Sequence, residues 1–313
     1  MKKDFPTGMM NTKYDENELL RLLDRGVYNS KGDRLQKLIK SPGKIAISAY
    51  LELLSRFLNK ALHVKARTFW NERINVEFPE IVSLALYRYG YFEEGLTKFI
   101  LHYLKPGMTF FDIGAHFGYF TLLSSMIVGN NGRVHSFEPA RNTFKILESN
   151  VLPRRNITLN NCALLSKRGK IVLNDYGSRY SAFNSIFDAR MSKETVSKMT
   201  VQRYEIDTIS VDEYVDQSRT TPNFIKIDAE SSEYEILLGM TKTIHDHRPI
   251  ISIEVGDAEI NGVPSNGELI TFLCSKNYKV YEYQEKIIEH QVKKDKYVYD
   301  NLLFLPCMNG VRS

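Results

Sequence analysis

Hydrophobic residues recur along this chain with two periods, and one stretch, residues 108–139, organises the rest. Residues 108–113 are a short apolar, aromatic-rich run, too short for a helix and bounded by Pro106-Gly107 and Gly114, which predicts a buried strand. Residues 119–128 are mostly apolar and stop at Gly129-Asn-Asn-Gly132, which predicts a helix. Residues 133–137 predict a second strand, closed by Glu138-Pro139. Strand, glycine turn, helix and strand make half of a doubly wound nucleotide-binding unit.

Upstream, residues 1–44 are polar and charged, and a short helix beginning at 17–23 is expected to break at Gly26, Gly32 and Ser41-Pro-Gly43. Residues 45–62 are clearer. Ile47, Tyr50, Leu51, Leu54, Phe57, Leu58, Ala61 and Leu62 fall at three- and four-residue steps, one apolar face of an amphipathic helix. With Lys44, Arg56, Lys60, Lys65 and Arg67 nearby, that face suits an acidic membrane surface. The commoner use of such a face is packing on its own domain or on a second subunit, and this is the favoured reading. Residues 68–78 alternate loosely, as a hairpin does, and 81–104 are helical in pattern with interruptions near Gly90 and Gly95.

Downstream, 141–150 predict a helix and 157–165 a third strand with its exit. Residues 166–175 and 200–206 have the look of an added hairpin, and the aperiodic 176–199 between them predicts a substrate-facing loop. Residues 209–215 predict a short helix, 222–228 a strand, 232–240 a helix, 245–248 a polar turn and 249–255 a fifth strand. A helix over 264–275 and two late strands, 278–283 and 297–305, complete the chain. Strands alternating with helices imply a largely parallel sheet with an antiparallel terminal pair.

Carboxylates stand at the strand ends, where an open α/β sheet binds its ligand: Asp112, Glu138, Asp228 and Glu254. Glu138, 20 residues beyond Gly118, sits where an acid accepts the hydroxyls of a ribose. The glycines are spaced G-x-x-x-G, not G-x-G-x-x-G, and Asp112 would repel a pyrophosphate but can receive an ammonium group. A ligand with an adenosine ribose and an amino-acid head is S-adenosylmethionine. Lys226, Asp228 and Glu230 would share a face if the strand pattern persists that far, which nominates Asp228 to position an acceptor or take its proton, with Lys226 and Glu230 beside it. Oxygen ligands suit Mg²⁺, so Asp228 and Glu254 are also a possible cation pair.

Composition narrows the class. The chain has 313 residues, 43% hydrophobic and 25% charged, as a globular protein with a full core requires. Cys162, Cys274 and Cys307 are scattered, which suggests neither a disulfide framework nor a zinc site. Without an N-terminal apolar region or a stretch of about 18 apolar residues, a cytoplasmic enzyme is expected, membrane-peripheral at most. Residues 1–105 hold eighteen Lys and Arg against twelve Asp and Glu, so the net charge of +5 belongs to that part. No Lys/Arg run of the kind that grips a duplex is present, and no nucleic-acid partner is expected.

From about Glu80 to Phe304 the chain resembles the FkbM family of S-adenosylmethionine-dependent methyltransferases. The resemblance is carried by Tyr89-Gly-Tyr-Phe-Glu93, Lys105-Pro-Gly107, Phe111-Asp-Ile-Gly-Ala115 with Gly118, Gly132-Arg-Val134, Phe137-Glu-Pro139, Ile209-Ser-Val-Asp-Glu-Tyr214, Ile225-Lys-Ile-Asp-Ala-Glu230 with Glu233, and Arg248-Pro-Ile250 with Glu254. It implies a class I, Rossmann-like α/β fold: a seven-stranded, mostly parallel sheet with helices on both faces, here preceded by a mainly helical extension over 1–79. It implies O-methylation, of a sugar or glycan hydroxyl or of another small molecule; a lapsed, cofactor-binding scaffold is the alternative. It places Asp112, Gly114 and Gly118 at the methionine part of the cofactor, with Ala115 and His116 in the same turn. Glu138 and Pro139 fall at the ribose, Cys162 and Ala163 beside the adenine, and Glu93 closes the pocket. The family usually has Asn where this chain has His116, and Gly where it has Ser231, a change expected to narrow the acceptor pocket or reduce activity.

Overall fold

The computed structural model describes residues 15–152, 154–188, 191–256, 260, 262–292, 297 and 300–307. Its centre is the predicted unit. Strand β3 (Thr109–Ile113) runs into the helix Tyr119–Val128 and then β4 (Arg133–Phe137), in register from Thr109 opposite Arg133 to Ile113 opposite Phe137. Before it come β1 (Leu62–Arg67) and β2 (Arg73–Phe78), an antiparallel hairpin. After it come β5 (Ile157–Asn160), β6 (Ala163–Leu164), β7 (Gly169–Asp175), β8 (Gln202–Ile209), β9 (Phe224–Ile227), β10 (Ile250–Val255), β11 (Tyr278–Gln284), β12 (Lys286–Glu289) and β13 (Asp300–Pro306).

Eight of these strands form the main sheet, in the order β12-β11-β13-β10-β9-β3-β4-β5. From β10 to β5 every neighbour is parallel, and β13 is antiparallel to both β10 and β11. This is the expected class I sheet with one strand, β12, added at the far edge by a hairpin with β11. Side chains alternate between two cores. Phe110 and Phe224 face one, Phe111 and Ile225 the other, as a sheet covered on both faces requires. Strands β6, β8 and β7 form a separate three-stranded sheet. It corresponds to the added hairpin expected over 166–206, joined by the exit of the third predicted strand.

The N-terminal part shares the first core. Leu19, Leu23, Trp70, Ile74 and Phe78 join the same apolar cluster as Phe110 and Leu122. The helix Glu16–Ser30, capped by Asp15, runs straight through Gly26, which was expected to break it. A Cβ at Gly26 would lie 2.7 Å from the Tyr89 carbonyl oxygen, so this glycine permits close approach of two segments. The predicted helix over 45–62 is Pro42–Leu58, ended by Asn59 in the left-handed conformation; Leu62 belongs to β1. The helical stretch expected over 81–104 is two helices, Ile81–Tyr89 and Glu94–Tyr103, parted at Gly90. The polar turn expected over 245–248 belongs to a helix, Thr241–His247, and the short helix expected from 209 starts at Val211.

Gly26→Ala raises intrinsic helix propensity, yet it is expected to lower stability by about 1–3 kcal/mol because the methyl meets fixed backbone. Urea denaturation followed by circular dichroism measures this, and a gain in stability would show that the Gly26–Tyr89 contact yields freely.

Candidate active site

A cavity of about 400 Å³ lies at the carboxyl ends of β3, β4, β9 and β10. Its floor is the turn from Ile113 to Phe120, with Glu138 and Pro139 beyond β4 and Cys162 to Leu165 beyond β5. On the opposite side stand Lys226, Asp228, Ala229, Glu230, Ser232 and Glu254. The roof comes from two places that share no sequence motif. Ile81, Val82 and Leu86 reach in from the helix Ile81–Tyr89, and residues 181–186 from the 3₁₀ segment Ser178–Phe183 and its exit. That segment lies in the predicted substrate-facing loop. Ser185 Oγ clasps it to the opposite wall by donating to the Glu230 carbonyl at 2.6 Å.

Lys226 is 2% exposed and sits between the walls. Its ammonium donates to the Gly114 carbonyl at 2.7 Å and lies 3.2 Å from Asp228 Oδ2 and 3.4 Å from Asp112 Oδ1. Burial works against its charge, but the carboxylates of Asp228, Asp112 and Glu93 outweigh it and hold the ammonium above its ordinary range. Gly114 meets the same strand end. A Cβ there would lie 1.7 Å from the Asp228 carbonyl oxygen, and its φ is +73°, so only glycine fits.

The structure places Asp112 differently from the expected contact with an amino-acid head. It is fully buried and is not among the residues lining the cavity. Thr121 Oγ1 donates to its Oδ2 at 2.6 Å and Lys226 faces its Oδ1, so the carboxylate anchors the turn from behind. Gly118 and Glu93 are likewise outside the lining. Gly118, at φ +90°, starts the helix Tyr119–Val128, and Phe92 enters the cavity beside Glu93. Gly114, Ala115, His116, Glu138, Pro139, Cys162, Ala163, Lys226, Asp228 and Glu230 all line the cavity.

Glycines at such a turn can let backbone amides approach a ligand. This turn offers few. The amides of Gly114 and Ala115 both donate to the Phe137 carbonyl at 3.0 Å, and that of Gly118 to Ala115 at 2.8 Å. The His116 amide donates to Glu138 Oε2 at 2.9 Å. Such a turn suits a ligand without phosphates. The Ala140 amide donates to Glu138 Oε1, and burial pushes this carboxyl up to about 7. Burial also pushes the Cys162 thiol up to about 11 and His116 down to about 3, so both are neutral. His116 adopts φ +49°, which Asn and His tolerate better than most side chains, and its Nε2 meets Ser181 Oγ at 3.0 Å.

Asp228, Glu230 and Glu254 each bring a carboxylate oxygen within 4.8 Å of the others. Clusters of acids are common without a cation, Lys226 already supplies positive charge beside Asp228, and no Mg²⁺ is assigned here. Ser231, expected to narrow the acceptor pocket, is buried outside the cavity lining. Its φ is +79°, next to Glu230 at +46°, so this turn holds two consecutive left-handed residues where glycine would relax the second. Half of the roof was anticipated, as the aperiodic substrate-facing loop; the other half was not, since Ile81–Tyr89 reads as an ordinary core helix.

A mostly parallel sheet in this order, with a carboxylate-bearing cavity across its central strand ends, defines the class I methyltransferase architecture. The sequence model of the Methyltransferase FkbM domain matches residues 112–280, more than half of the chain, and the chain belongs to that family of methyltransferases. Solved structures of low identity are similar to it over part of their length. An FkbM methyltransferase from Methylobacillus flagellatus KT is 17% identical over 71% of this chain and 52% of its own, with a TM-score of 0.40. The chain thus spans about half the length of that protein. Aeropyrum pernix fibrillarin with natively bound S-adenosyl-L-methionine is 12% identical over 64% of this chain and 67% of its own, at a TM-score of 0.38. Precorrin-6y C5,15-methyltransferase from Geobacter metallireducens GS-15 is 14% identical over 67% and 86%, at 0.36. No curated protein sequence matches the chain.

Ser231→Gly is expected to stabilise the fold by about 1 kcal/mol, roughly 2 °C in melting temperature. Thermal denaturation of the two chains decides it. A fall in melting temperature would mean that the Ser231 side chain itself holds the turn.

Proposed function

We propose that this chain is an O-methyltransferase that binds S-adenosylmethionine across the cavity floor and methylates a hydroxyl of a sugar or glycan presented at Asp228. The reading rests on one observation above all: the Asp228 carboxylate, in the same cavity as the ribose-type acid Glu138, is held 3.2 Å from a buried, charged Lys226. When bound, the cofactor supplies an electrophilic methyl group on a sulfonium. Glu138 accepts hydrogen bonds from ribose hydroxyls, while Ala115, Pro139, Cys162, Ala163 and Leu164 flank the nucleoside. Asp228 orients the acceptor hydroxyl and takes its proton. Lys226 is a positioning residue: its ammonium donates to the Gly114 and Ile113 carbonyls and lies beside both aspartates, so it holds the Asp228 carboxylate aimed.

Glu230 and Glu254, beside Asp228, suit an acceptor with several hydroxyls. The facing wall of Ile81, Val82, Leu86, Phe92 and Phe183 suits an apolar body attached to it. That wall is also what favours the second reading, a small-molecule hydroxyl that is not part of a sugar.

Asp228→Asn is expected to cut methyl transfer to a screened sugar acceptor by about 100-fold or more, while S-adenosylhomocysteine still binds in calorimetry. If binding and transfer fall together, Asp228 belongs to the cofactor site and the division of roles is wrong. The Glu138 carboxyl gives a second test. Raised to about 7, it is protonated in the folded chain below that pH, and protonation removes acceptor sites for the ribose. Affinity for S-adenosylhomocysteine should therefore rise roughly tenfold from pH 6 to pH 8, and Glu138→Gln should flatten this dependence while weakening binding at pH 8. A flat profile in the parent chain removes the ribose assignment.

A further inference from the structure

We propose that the helices Arg34–Lys40 and Pro42–Leu58 form a docking face that seats this protein on an anionic lipid bilayer. The helix Pro42–Leu58 is oriented opposite to the rule for surface helices. Leu51 packs on the first core, and the rest of the helix's inward face is fastened by polar groups: Ser48 is 0% and Ser55 4% exposed. Arg88 Nε donates to Ser48 Oγ at 2.7 Å and its Nη2 pairs with Glu52 at 2.8 Å, while Ser55 Oγ donates to the Phe78 carbonyl. Ile47, Tyr50, Leu53 and Phe57 point outward, Phe57 85% exposed. The neighbouring helix Arg34–Lys40, which packs on it and has no buried residue, adds exposed Leu35 and Ile39.

Charge selects the occupant. Between residues 34 and 60 there are six Lys and Arg and one acid, Glu52, and that acid is paired with Arg88. An apolar ridge with aromatic tips, rimmed by basic residues, complements a surface that is apolar beneath and negative at the headgroups. A second copy of the same face would set like charges against each other. Among the described residues no helix is long and apolar enough to cross a membrane, so the seat is interfacial. The face adjoins the cavity: the helix Ile81–Tyr89 packs on Pro42–Leu58, and its exposed Ile81 also lines the cavity.

The test is cosedimentation of the full chain with vesicles of phosphatidylglycerol and phosphatidylcholine, or of phosphatidylcholine alone, beside sedimentation velocity without lipid. The expected result is a monomer that binds the anionic vesicles and not the neutral ones, with binding weakened by salt. Leu53→Asp with Phe57→Asp should cut the bound fraction about tenfold, and Arg34→Gln with Lys37→Gln severalfold. Circular dichroism checks that both variants remain folded, as exposed positions allow. Failure to sediment with either vesicle overturns the proposal, and so does equal binding to both. A dimer that Phe57→Asp dissociates, with no vesicle binding, assigns the face to a second copy. None of these outcomes depends on methyl transfer, so the proposed function stands or falls separately.

Discussion

A single buried ammonium ties the working end of this fold together. Burying a charge costs several kcal/mol unless its partners are close and well placed. Lys226 has them: two aspartates from the ends of adjacent strands and the carbonyl of the glycine between. The arrangement forces β3 and β9 to end within contact of each other, which is why Gly114 tolerates no Cβ against the Asp228 carbonyl. Lysine and glycine are thus two expressions of one constraint. The turn that follows spends its amides internally, on Phe137 and Glu138, and so arrives rigid before any ligand does.

That constraint also explains what the sequence showed and what it hid. The parallel core was legible because each strand is a short apolar run, four of the five ending in a carboxylate, and each crossover helix carries its own period and stop. The direction of a carboxylate is not periodic information. Asp112 and Asp228 both stand at strand ends, yet Asp112 turns back toward Thr121 and Lys226 while Asp228 faces the cavity. Lys226 touches both, and the Thr121 hydroxyl on the following helix is what sets Asp112 apart, which is a tertiary fact. Gly26 hid for a similar reason, since a glycine required by an approaching segment looks the same as a glycine that ends a helix. His116 and Ser231 departed from the family pattern, and the backbone explains the pattern: both positions have positive φ.

The cavity's roof was only half legible, through the loop and not through the helix. Its parts lie about a hundred residues apart, in a core helix and an aperiodic loop, and neither carries a motif. They meet because the three-stranded sheet β6-β8-β7 projects the loop back over the strand ends, where Ser185 fastens it to Glu230. The roof is therefore built on segments that can vary without disturbing the Lys226 network below, as loops over a fixed scaffold can.

The N-terminal helices sharpen the same point about direction. The apolar period of residues 45–62 was legible, and the commoner fate of such a stripe is to face inward. Here Arg88 reverses it. A guanidinium rising from the helix Ile81–Tyr89 needs oxygen partners, and Ser48 and Glu52 supply them on one side of Pro42–Leu58. Once that side is bound, the remaining arc, with Tyr50, Leu53 and Phe57, has no choice but to face out. One charged residue on a cavity-forming helix thereby sets the orientation of an apolar surface beside the cavity mouth, and Ile81 belongs to both. An acceptor with an apolar body and a hydroxylated end would meet, in sequence, the surface that suits the first and the carboxylates that suit the second.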